Sequence, residues 1–129
     1  MIIEVEELDV VLTENFIKFC CDELDIIPQH IKVEGWDDPF KNGALGLCYE
    51  VNNDNEYLIM VSKKNRNATE IYNTIAHEMI HVKQYMKQDL GNFLDAHKPA
   101  YNDRWWEIEA SKKSSNLVKK YVDILYNMV

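Results

Sequence analysis

Apolar positions along the chain follow two rhythms, one helical and one strand-like. After an opening strand, Phe16, Ile17, Cys20 and Leu24 recur at helical spacing. They predict a helix of about a dozen residues that Thr13 can cap and that Pro28 ends. Ile31-Lys32-Val33, within His30 to Trp36, is a short strand candidate. Two β-favouring runs follow, Leu45 to Val51 and Tyr57 to Val61, and Asn52-Asn53-Asp54-Asn55 between them is turn chemistry. That arrangement predicts a β-hairpin.

The helical rhythm then returns. Asn67-Ala68-Thr69-Glu70 reads as a capping box that opens a long helix to about Met86. At about 100° per residue, Ile71, Ile75, Met79, Val82 and Met86 fall within an arc of about 80°, which is the core-facing stripe. Asp89 to Ala100 is polar, with Gly91 and Pro99, and reads as a loop. A final helix is predicted from about Asp103 to Tyr126. The order of strand, helix, strands, helix, helix predicts an α+β fold with a small, mostly antiparallel sheet.

Composition narrows the class. The chain has 129 residues, 47% of them hydrophobic and 28% charged, which suits one domain spanning residues 1–129 with a core that needs no metal to fold. The formal net charge of −8 argues against nucleic acid and anionic membranes as partners, because both reward clustered Lys and Arg. Short basic groups such as Lys63-Lys64-Asn65-Arg66 read as solvated surface. No apolar run reaches the roughly 18 residues a membrane span needs, and the acidic start Met1-Ile2-Ile3-Glu4 lacks the positive region of a signal peptide. Cys20, Cys21 and Cys48 are an odd set without a Cys-x-x-Cys spacing, so a reducing cytoplasm is the expected location and a monomer the default state.

The chemistry concentrates at His77-Glu78-Met79-Ile80-His81. Histidines four apart share one helical face and can reach one ion. Glu78 lies between them and the core stripe, where a base acting on a metal-bound water belongs. With four His and twelve Glu in the chain, a chance match anywhere is about one in a hundred by composition. The competing reading is a pair of surface histidines flanking a Glu.

Catalytic zinc takes three protein ligands and leaves one position open. Glu107 is the expected third, because it continues the apolar stripe of Ala110, Leu117, Val118 and Tyr121, and a carboxylate there is costly unless paired or coordinated. Ala110 is small enough to let the two helices approach. Glu109, on the opposite side of the wheel, reads as a solvated charge near Lys112 and Lys113. His97 is a further possible ligand, and His30 reads as a strand-edge residue. Trp105 and Trp106 are candidates to shape the cleft, although one or both read more readily as core.

His77-Glu78-Met79-Ile80-His81, followed on the next helix by Trp106-Glu107-Ile108-Glu109-Ala110, resembles the gluzincin metallopeptidases. The likeness is to the small, minimal-scaffold members and to uncharacterised phage or bacterial relatives, and it runs from about Leu45 to Ala110. It implies a zincin-like helix pair under the sheet, Zn2+ on His77, His81 and Glu107, and Glu78 as the base. The implied activity is hydrolysis of a peptide or protein substrate by a metal-bound water, with Tyr101 or His97 as donor to the oxyanion. The position after Glu-x-x-Ala, often acidic in related families and there supporting a ligating histidine, is Ser111 in this chain. Two alternatives stay open: a binding or regulatory protein on the same scaffold, and a metal-dependent amidase of another kind.

Overall fold

The computed structural model describes residues 1–38, 40–52, 54–96 and 104–128. Strand β1 (Ile2–Glu6), helix α1 (Val10–Leu24) and strand β2 (His30–Trp36) form the first unit. A 3-10 turn (Lys41–Gly43) leads into the hairpin of β3 (Gly46–Asn52) and β4 (Glu56–Ser62). Helices α2 (Ala68–Lys87), α3 (Leu90–Ala96) and α4 (Trp105–Asn127) complete the described chain. The α+β class therefore stands.

The sheet order is β1-β2-β4-β3, and its pairing corrects the expectation of a mostly antiparallel sheet. β1 and β2 are parallel, β2 and β4 are parallel, and only the β3–β4 hairpin is antiparallel. The cause is the connection: α1 between β1 and β2 returns the chain in the same direction, and β3 runs back before a tight turn, so that β4 again runs parallel to β2.

Two helix boundaries also differ. Asp9, not Thr13, caps α1, its carboxylate accepting from the Leu12 amide at 2.9 Å, and Thr13 is buried inside the helix. Leu90–Ala96, expected to be loop, is helical, with Leu90 turned into the protein at 2% exposure. The capping box of α2 is present in both directions, Asn67 accepting from Glu70 and Glu70 accepting from Asn67.

One sheet face carries the core and the other meets solvent. Ile31, Val33, Tyr57, Ile59 and Val61 form one buried cluster with Phe16 and Ile17 of α1, Ile75 and Met79 of α2, and Leu117 and Val118 of α4, which packs on α2 and α1. Phe16 stacks on Tyr72 at 4.7 Å between ring centroids and meets Tyr121 edge-on at 5.1 Å, so one aromatic side chain joins α1, α2 and α4. Ala110 is fully buried, as a close approach of α4 to α2 requires.

Candidate metal centre

The placement of α2 begins at its first turn. Arg66, just ahead of the cap, donates to the Ser62 carbonyl at 2.8 Å, the Glu70 carbonyl at 3.0 Å and the Thr74 hydroxyl at 2.6 Å. One guanidinium thus fixes the end of β4 to two turns of α2, a use of its planar fork that an ammonium could not match. Two turns on, His77 and His81 project from the same side of the helix, their ring centroids 4.9 Å apart.

Glu107, in the first turn of α4, meets both rings. Its Oε1 lies 3.1 Å from His77 Nε2 and 2.6 Å from His81 Nε2. The ligand atoms of His77, Glu78 and His81 lie within 4.8 Å of one another, a group that could hold a metal ion. Zinc with bonds of about 2.0–2.1 Å sets tetrahedral ligand atoms about 3.3 Å apart, close to the 3.1 Å His77–Glu107 separation and wider than the 2.6 Å between His81 and Glu107, which an ion would have to part. The donor set fits zinc in chemistry as well: two imidazole nitrogens and one carboxylate, with Glu78 left beside them.

Electrostatics tie the group together. Burial alone would raise the Glu107 carboxyl, but hydrogen bonds and positive charge from His77 and His81 bring its pKa from 4.5 down to about 2. Burial alone would lower His81, yet its bond to Glu107 and the charges of Glu78 and Glu107 outweigh that and raise it. Glu78 is only 4% exposed, and burial raises its pKa against the partial pull of the two histidines.

His77, Glu78 and Glu107 line a cavity of about 880 Å³, with Gly46 and Leu47 on one wall and Asn73, Ser111 and Ser114 along the groove between α2 and α4, while His81 lies buried behind them. Gly46 is required there. A Cβ at this position would lie 2.5 Å from Thr74 Cγ2 and 3.2 Å from Glu78 Cγ, so only glycine lets β3 run this close to Glu78.

The structure thus brings His77, Glu78, His81 and Glu107 together. Tyr101 and His97, the expected oxyanion donors, lie outside the described residues. His30 opens β2 beside Glu4, at 3.0 Å. Cys48 packs against the core from β3, and burial with the nearby Glu78 and Glu50 carboxylates pushes its thiol well above the ordinary range. Trp106 is buried as expected.

Glu109 is not a freely solvated charge. Its side chain is 20% exposed, bonded to Lys83 at 3.1 Å and to Lys113 at 3.3 Å. Sequence reasoning also passed over Gln84, which is fully buried with Oε1 2.7 Å from His81 Nδ1. A signal existed: Gln84 is three residues from His81 and seven from His77, so it shares their face.

Comparison with protein-family models, with curated proteins and with solved structures finds no match for this chain. No described helix is long and apolar enough to cross a membrane.

Proposed function

We propose that the protein is a zinc-dependent peptidase of gluzincin type, with His77, His81 and Glu107 as ligands and Glu78 as general base. The observation that carries this reading is the convergence of two imidazole nitrogens and one carboxylate oxygen beside a cleft that His77, Glu78 and Glu107 line, Glu78 being a second, buried carboxylate. Zinc held there supplies Lewis acidity toward a water and a carbonyl. Glu78 takes the proton of the attacking water and passes it to the leaving amine. The free thiols Cys20, Cys21 and Cys48 suit a reducing cytoplasm.

The sheet supplies a place for the substrate. β3 is an edge strand, and among the described residues nothing pairs with its outer side. Ser62 donates to the Leu45 carbonyl at 2.9 Å, so the backbone groups of Leu45 and, by the two-residue alternation, Leu47 point to β4. Those of Gly46 and Cys48 therefore point to the open edge. An extended peptide added there receives main-chain hydrogen bonds beside Glu78.

The test is elemental mass spectrometry of protein purified without chelator, together with hydrolysis of a diverse peptide library. About one zinc per chain is expected. Glu78→Gln should keep the zinc and lose turnover by about 10²–10⁴-fold. No zinc in the wild type, even after its addition, would refute the metal centre. Zinc without hydrolysis of any peptide would move the reading to a binding or regulatory role or to another amide bond.

A further inference from the structure

We infer that Gln84 and Glu109 form a positioning relay that sets the tautomer and orientation of His81, so that its Nε2 presents a lone pair to the metal. The consequence for metal binding rests on the metal-centre reading, whereas the geometry of the relay does not.

The argument starts from the amide. Gln84 is 0% exposed, and a primary amide taken out of water is costly unless each of its groups is bonded. Its Nε2 lies 2.9 Å from the Trp106 carbonyl and 3.0 Å from Glu109 Oε1. A carbonyl and a carboxylate only accept, so the nitrogen must face them, and a flipped amide would set oxygen against oxygen twice. The Gln84 oxygen is thereby directed at His81 Nδ1, 2.7 Å away. That oxygen also only accepts, so Nδ1 carries the hydrogen. In the neutral ring the lone pair then resides on Nε2, the atom 2.6 Å from Glu107 Oε1. Two acceptors so close require a cation between them, which a proton or a metal ion can provide.

Glu109 makes the amide orientation firm. Its Oε1 also accepts from Lys83 at 3.1 Å and its Oε2 from Lys113 at 3.3 Å, which anchors the carboxylate to both α2 and α4. The Trp106 carbonyl belongs to the residue directly before Glu107. Gln84 therefore joins the ring of one ligand to the helical turn that carries another, and a shift of either is felt by both. Ser111 lines the cavity and so leaves this supporting task to other residues.

The experiment combines zinc affinity, by competition with a chromophoric chelator, with long-range ¹H–¹⁵N NMR of the histidine rings in zinc-free protein at a pH where the rings are neutral. In the wild type, His81 should be the Nδ1–H tautomer. Gln84→Met, of similar volume and without hydrogen bonds, should weaken zinc about 10–100-fold and mix the tautomers. Glu109→Ala, at a partly exposed position, should weaken zinc by less and mix the tautomers too, which keeps the test decisive if Gln84→Met fails to fold. A merely structural role would lower the melting temperature of these variants while tautomer and affinity in the folded protein stayed the same. That result, or an Nε2–H tautomer in the wild type, would overturn the relay. Absence of zinc binding in the wild type would defeat the metal-centre reading alone, since the tautomer measurement needs no metal.

Discussion

At the scale of single residues, Glu107 and Glu109 share one helical turn and do different work. Glu107 faces the two histidines and Glu109 faces Gln84 and two lysines. Glu107→Ala should therefore abolish stoichiometric zinc binding, whereas Glu109→Ala should retain a weakened site. Stoichiometric loss in Glu109→Ala with retention in Glu107→Ala would reassign the third ligand. Both carboxyls also tie stability to pH. For Glu109, burial works against ionisation, but the Gln84 and Lys83 hydrogen bonds and the lysine charges prevail and bring its pKa to about 2, as the histidines do for Glu107. A carboxyl whose pKa is depressed on folding stabilises the protein above its unfolded value and loses that contribution as pH falls through the folded one. Urea unfolding of the zinc-free protein should thus show stability declining from about pH 4.5 toward pH 2, with a shallower decline in Glu109→Gln. An unchanged slope in that variant would show that the lysine contacts contribute no net stabilisation. The histidines, Glu78 and Glu107 could be singled out from spacing and from one carboxylate on an apolar stripe. Gln84 could not be singled out so readily, because a neutral amide on a helix is common and its importance lies in partners contributed by another helix.

At the scale of elements, β3 and α2 are locked together at Gly46. Adding a Cβ there forces the strand away from Thr74 and Glu78, since the nearest atom would be 2.5 Å away. Gly46→Ala is expected to cost about 1–3 kcal/mol in urea unfolding and to lower turnover more than zinc content. Full activity in that variant would remove β3 from the substrate site. The elements themselves differed in how plainly the sequence announced them. α2, with its capping box and apolar stripe, and the β3–β4 hairpin, with its Asn-rich turn, carry local signals, and both formed where those signals lie. The start of α1 did not, because Val10, Val11 and Leu12 are exposed at 52%, 67% and 53% and stand outside the periodic stripe, so the pattern begins a turn after the Asp9 cap. α3 was hidden by Gly91 and by polar neighbours, and one buried leucine gives no period. The parallel pairs were misjudged for a different reason: local β-propensity is blind to strand direction, which α1 decides for β1 and β2, and which β3, running back before β4, decides for β2 and β4.

At the scale of the molecule, the candidate metal centre lies at one side of a core that is complete without it. Phe16, Ile17, Ile31, Ile59, Ile75 and Met79 are fully buried between the sheet and the helices, and none of them is a metal donor. Zinc should then act as a ligand that adds to an existing fold, unlike a structural zinc whose removal unfolds a small domain. Chelated protein is expected to keep its helical circular dichroism and to melt cooperatively. Free zinc at 100 times its dissociation constant should stabilise the native state by about 2.7 kcal/mol, raising the melting temperature by on the order of 10 °C. Because Glu107 joins α4 to the two histidines of α2, Glu107→Ala should erase this zinc-dependent rise while changing the melting temperature of the chelated protein far less. Unfolding on chelation would show instead that the α2–α4 contact depends on the ion. In that event the buried Ala110 and the aromatic contacts of Phe16, Tyr72 and Tyr121 would be insufficient to hold the helices, and the centre would be structural as well as chemical.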